Sequence, residues 1–312
     1  MNKFLLKLFK FASLQFLILA AIAFYYIQTH DQLAQKQYLA ATIDKHALLK
    51  RQAKPRIIFV GGSNVAFGIN SNFISSQLNH QPVNMGLHAA LGLEYTLNEV
   101  EEKLASGDVV VVSLEYENFS NHLPDIPERL FNTIDNRFQN IKFVPYYYAP
   151  VMLDKGQLYL GGVIRNVIST LTGTYELDKT YKRVNFSPVG DMMANTGTPR
   201  DISKIKGTLE VTDSSIQTAL RIIQEFDQVA KDKGAQVYFS YPPLAENVYK
   251  DNSEAIGEIS AALKDSSELD FIDTSKEMAL QVNYFFDSEY HLNQAGALFR
   301  AKHIVNRLSK KL

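Results

Sequence analysis

Residues 108–114 (DVVVVSL) constrain this chain more than any other stretch. Side chains branched at Cβ are stiff and fit the pleated surface of a strand. An apolar run without polar alternation predicts a strand covered on both faces, as in a parallel sheet. Similar runs occur at 56–60 (RIIFV) and 236–241 (QVYFSY), with shorter ones at 82–85 and 269–272. Helical patterns lie between and after them, at 71–79, 93–104, 214–233, 245–264 and 293–308. The helix at 214–233 is expected to be capped by Asp213 or Ser214 and ended by Gly234. Strands alternating with helices of this length predict an α/β fold with a parallel sheet and helices on both faces. The rhythm breaks at about 120–212, where Pro124, Pro127, Pro145, Pro150, Pro188 and Pro199 accumulate. We read that stretch as one insertion at the strand ends.

The N-terminus is distinct. Lys3, Lys7 and Lys10 precede an uncharged stretch at 11–29, which closes at His30 and Asp31. A helix of that length covers roughly 28 Å, about the hydrocarbon thickness of a bilayer. Lysines on one flank and Tyr25–Tyr26 near the other predict a single span with its N-terminus in the cytoplasm. A secretory signal cleaved after Ala23 and a buried core helix are the alternatives. The expected organisation is a flank and signal anchor at 1–30, a helical stem at 31–54 and an extracytoplasmic domain at 55–312. Residues 11–29 would meet the lipid bilayer. The stem carries apolar Tyr38, Leu39, Ile43 and Leu48 among polar residues, and Pro55 ends it. A net charge of −1 gives no reason to expect nucleic acid as a partner, and the absence of cysteine removes thiolate chemistry.

Parallel α/β sheets bind ligands beyond the carboxyl ends of their strands. The first strand runs into Gly61-Gly62-Ser63-Asn64, where glycines permit a tight turn that exposes a serine hydroxyl. A plain glycine turn is the bland alternative, and Val65 stands where a nucleophile elbow would need glycine. The second strand is followed by Asn84-Met85-Gly86, whose glycine N–H is a candidate oxyanion donor, and then by His88. After the third come Glu115-Tyr116-Glu117-Asn118, and His122 a little further on. The last loop, DSEYHLN at 287–293, carries Asp287 and His291 just ahead of a helix. A serine nucleophile needs a base, and the base needs a carboxylate to fix its tautomer. Ser63, His291 and Asp287 are therefore the candidate catalytic set.

These blocks, in this order, resemble the SGNH (GDSL-like) hydrolases from about residue 56 to the end, leaving out the insertion. The resemblance implies a flavodoxin-like three-layer α/β/α sandwich and Ser-His-Asp acyl-enzyme chemistry without a cofactor or metal. It also implies an oxyanion hole built from the Ser63 and Gly86 N–H groups. This chain departs from the pattern in two places. Three residues rather than two separate Asp287 from His291, which keeps Glu289 as a rival orienter. The third block lacks its Gly-x-Asn, so either Asn64 or Asn118 replaces that donor or the hole has backbone donors only. The N-terminal span and the LEYENF segment resemble those of membrane-anchored bacterial members associated with acyl groups on envelope polysaccharides.

Asn84, Glu115, Tyr116 and Tyr241 are candidate substrate-binding residues, with Glu115 or Tyr116 expected to make hydrogen bonds at the cleft floor. Tyr146–Tyr148, with Phe143, offers either a stacking platform for sugar rings or a core for the insertion. Two functions remain open. One is an esterase or O-acyltransferase acting on acyl esters, acetyl foremost, of an extracytoplasmic glycan or another small ester. The other is a catalytically degenerate module that binds a glycan or partner in envelope assembly.

Overall fold

The computed structural model describes residues 3–120, 123, 126–172, 179–196, 199–266 and 269–312. Its centre is a parallel sheet of β1 (Arg56–Gly61), β2 (Gln81–Asn84), β3 (Val109–Ser113) and β4 (Gln236–Phe239), in the order β2-β1-β3-β4. Beyond β4, Phe239 forms a parallel bridge to Phe271, so the predicted strand at 269–272 is reduced to a single bridge. A short parallel pair, β5 (Leu244–Ala245) and β6 (Ala279–Leu280), lies outside the main sheet.

Every residue of β1 and β3 is buried. Alternating side chains divide between the two faces, as the pleat requires. Ile58, Val60, Val110 and Val112 pack with the helices Leu93–Glu101 and Asp213–Asp232. Ile57, Phe59, Val109 and Val111 pack with Ser71–Leu78 and Gln294–Leu308. Their register, Ile57 opposite Val109 and Ile58 opposite Val110, keeps each set on one face. Asp213–Asp232 is capped by Thr212, one residue earlier than expected. Its side chain accepts from Ser215 N, and the Ser215 hydroxyl accepts from Thr212 N.

The expected stem needs correction. Residues Ala41–Arg51 form a helix packed into the domain, with Leu48 and Leu49 in the main core. Just before it, Tyr38 donates to Leu87 O at 2.6 Å. The segment reads as a polar stem in sequence, yet two of its polar side chains, Lys45 and Thr42, are buried and hydrogen-bonded inside the domain. Lys45 Nζ donates to Asn84 O and Gly190 O at 2.9 and 2.6 Å. Thr42 Oγ1 accepts from Asn140 at 2.8 Å. Burial lowers the Lys45 ammonium to about 7 against the pull of Asp191, Glu99 and Asp44.

A second apolar cluster sits beyond the strand ends. It joins Tyr38, Phe67, Leu87 and Tyr95 to Leu130, Ile134, Phe143 and Met192 of the insertion. The insertion thus folds down over the end of the sheet and walls the cleft. The N-terminal helix, Lys3–Ala34, contains a stretch, Lys3–Thr29, long and apolar enough to cross a membrane. None of its most apolar part is buried, so it is not a core helix.

Candidate active site

A cleft of about 1120 Å³ opens beyond the carboxyl ends of the strands, lined by Ser63, His88, Glu115, Asn118, Tyr181, Glu289 and His291 among others. Ser63 is the first residue of a short helix, Ser63–Gly68, that begins directly after β1 and Gly62. The preceding glycines are required by close packing. A Cβ on Gly61 would lie 2.1 Å from Ser113 O, and one on Gly62 would lie 2.8 Å from both Ala89 N and Glu115 Oε1.

On the opposite wall, a bridge between Phe285 and Leu292 and a hydrogen bond from Phe286 N to His291 O (2.8 Å) close the last loop. That closure brings Asp287 and His291 together despite the extra residue between them. His291 Nδ1 lies 2.8 Å from Asp287 Oδ1. Tyr181, from the insertion, donates to Asp287 Oδ2 at 2.8 Å and stands 3.1 Å from His291 Nδ1. The imidazole stacks on Phe67, with centroids 4.1 Å apart and planes 7° apart. Glu289 lines the cleft, and it is Asp287 that meets the ring. Burial raises the Asp287 carboxyl, but hydrogen bonds from His291 and Tyr181, with the charges of His291 and Arg200, outweigh it. The net result lies below the ordinary value.

The floor is different. Ser63 Oγ donates to Glu115 Oε1 at 3.1 Å, and Asn64 N donates to the same oxygen at 2.7 Å. Burial, then the charge of Glu117, raises Glu115 to about 7. The bonds from Asn64 and Ser63 oppose the shift, and Glu289 adds to it. Among the described residues, no hydrogen bond joins Ser63 to His291. Such contacts are often long before substrate binds. Arg300, fully buried, fixes the turn by donating to Asn64 O at 3.0 Å and Ser113 Oγ at 2.6 Å.

Several expected site residues have other duties. Gly86 N donates to Asn84 Oδ1 at 2.9 Å, so this amide is engaged within its own turn. Asn84 Nδ2 donates to Val65 O and Asp191 Oδ1 at 3.0 and 2.8 Å, which makes Asn84 a buried clamp. The Asn64 side chain is also buried and donates to Ser113 Oγ at 3.1 Å. Asn118 lines the cleft. Tyr116 and Tyr241 are buried outside it, around a small apolar void. His88 lines the cleft, where burial, then Arg129 and His291, lower it to about 4. His122 lies outside the described residues. Tyr148 and Phe143 are buried, Tyr146 is exposed, and none of them lines the cleft.

Sequence reasoning missed Tyr181 and Arg300. Tyr181 has no local signal, because only the folding of the insertion brings it to Asp287. Arg300 had one. It falls on the same helical face as Ala297, Ala301, Ile304 and Leu308, where a charge is out of place unless it has buried partners.

No family model matches the chain, and no curated protein matches it. Among solved structures it is similar to one from Streptococcus pneumonia provisionally described as a platelet activating factor. The identity is 12% and the TM-score 0.44, covering 90% of this chain and 97% of the other. It is also similar to the acetyl xylan esterase Est2A of the rumen bacterium Butyrivibrio proteoclasticus. There the identity is 14% and the TM-score 0.34, covering 83% of this chain and 64% of the other. At this level of similarity neither assigns the chain to a family.

Proposed function

We propose that the cleft performs serine-dependent acyl chemistry, as an esterase or O-acyltransferase of the SGNH type. The observation that carries this reading is His291, on the wall of the cleft that also holds Ser63, with its Nδ1 2.8 Å from Asp287 behind it. Asp287 and Tyr181 fix the imidazole with Nδ1 engaged, which leaves Nε2 to act as base. Ser63 attacks the ester carbonyl, His291 takes its proton, and the leaving alcohol then takes that proton back. Water or a sugar hydroxyl next accepts the acyl group. The strand order β2-β1-β3-β4, followed by the bridge at Phe271, supports a flavodoxin-like sandwich.

The cleft exceeds the roughly 300–1,000 Å³ of sites for small ligands, which suits an acylated glycan of the bacterial envelope. The N-terminal helix would hold the domain on the outer face of the cytoplasmic membrane, in contact with lipid through residues 11–29.

A second reading, a non-catalytic binding module, draws on one specific feature: the Ser63 hydroxyl donates to Glu115 rather than to His291. Labelling separates the two. The full-length chain in detergent is treated with a serine-directed fluorophosphonate and tested on an acetyl ester. We expect labelling and turnover, both lost in Ser63→Ala. A folded wild type that neither labels nor turns over ester would leave the binding module standing.

A further inference from the structure

The mechanism above leaves Glu115 without a task, although its carboxyl lies against the candidate nucleophile. Both of its hydrogen bonds, from Ser63 and from Asn64 N, go to Oε1. Among the described residues, Oε2 takes no bond, and Glu115 lines the cleft. Gly62 packs against the same carboxyl, where any side chain would intrude on Oε1. A carboxyl held there as an anion would repel the negative charge that acyl transfer builds on the carbonyl oxygen. The other backbone donor expected at this place, Gly86 N, is already bonded to Asn84.

We infer that Glu115 is a catalytic residue that works in its neutral form, donating a hydrogen bond through Oε2 to the carbonyl oxygen of the acyl group. The inference rests on the serine reading. As the bond from Ser63 Oγ to the acyl carbon forms, the carbonyl π pair moves onto oxygen and the serine proton passes to His291 Nε2. When that pair returns, the bond to the leaving alcohol breaks, and the alcohol oxygen takes the proton from His291. Glu115 keeps its own proton throughout, so the balance is unchanged by its part.

The surroundings favour the neutral form. Glu117 and Glu289 face the carboxyl with like charge, and burial disfavours ionisation, raising it to about 7. Tyr38 and Tyr290 face it as well, and neither is cationic. Among the described residues Arg300 opposes this as a buried cation, with its guanidinium hydrogen-bonded to Asn64 O and Ser113 Oγ. It does not outweigh burial and the neighbouring carboxylates. A carboxyl kept neutral by its environment is a competent oxyanion donor.

The test compares wild type, Glu115→Gln and Glu115→Ala in the full-length protein, following kcat/KM on an acetyl ester and the rate of fluorophosphonate labelling. The scan runs from about pH 5 to about pH 9, spanning the Glu115 transition. A glutamine amide keeps an acceptor for Ser63 and Asn64 and a donor for the oxyanion, without a proton to lose. We expect wild-type rates to fall about tenfold per pH unit above about 7. Glu115→Gln should stay within several-fold of wild type at low pH and lack that fall. Glu115→Ala should lose about 100- to 1,000-fold throughout. If the alanine variant does not fold, the wild-type and glutamine profiles decide alone. Gln as inactive as Ala, or a wild-type rate that does not fall above pH 7, overturns the inference while Ser63 labelling keeps the serine reading intact. Wild type without Ser63 labelling or turnover overturns both.

Discussion

Asp287 and Glu115 are both carboxyl groups of the candidate site, yet their surroundings drive them in opposite directions. Asp287 sits on a closed loop and receives hydrogen bonds from His291 and Tyr181, which hold it below the ordinary carboxylate value. Glu115 sits on the floor after β3, where burial and the neighbouring Glu117 lift it to about 7. One is tuned to remain an anion beside an imidazole; the other is pushed towards keeping its proton near neutrality. Residue type did not decide this. Each receives two hydrogen bonds, and the neighbouring charges and the depth of burial decide between them.

The comparison can be broken by exchanging each carboxyl for its amide. The largest effect is expected on the anion side. Asp287→Asn should lower kcat/KM by about 10,000-fold near neutral pH, because an amide no longer enforces the Nδ1–H tautomer of His291. Steady-state kinetics on the detergent-solubilised protein check this, with an unchanged far-UV circular dichroism spectrum to show an intact fold. A loss under tenfold would mean that Asp287 does not orient the base.

Stability gives the second contrast. Glu115 has a raised folded pKa, so its contribution is fully present below the ordinary value of 4.5 and is lost as pH rises to about 7. Glu115→Gln should therefore gain on wild type across that window and hold a constant advantage above it, on the order of 3 kcal/mol. Asp287 has the opposite sign. Its contribution is present above 3.8 and lost as pH falls through its lowered folded value. Asp287→Asn should therefore be less stable than wild type at neutral pH, and the gap should close in acid. Thermal melts of both variants across this range test the pair, and parallel pH profiles would contradict it.

Much of this site was legible because it is built from local blocks. Ser63 follows a strand that composition alone identifies, and Asp287 and His291 share one short loop. The choice between Asp287 and Glu289 was not legible, because it depends on the Phe285–Leu292 bridge that closes the loop. Gly86 was read as an oxyanion donor since a glycine after a strand often is. Whether its N–H faces the cleft or Asn84 is a matter of side-chain placement that spacing does not encode. Helix Ala41–Arg51 was misread for a related reason. Lys45 and Thr42 look solvent-facing in sequence, yet each is buried against partners around 40 to 145 residues away. Tyr181 and the pairing of Ser63 with Glu115 are likewise products of the tertiary fold.

The central claim is that an acyl group passes through Ser63. It is tested most directly by mixing the full-length protein with an acetyl ester, quenching in acid during turnover and mapping peptides by mass spectrometry. Added acetyl mass confined to the peptide carrying Ser63, present in wild type, accumulating more slowly in His291→Ala and absent from Ser63→Ala, is the predicted result. Turnover with no acetyl on that peptide, or turnover that survives Ser63→Ala, would contradict it.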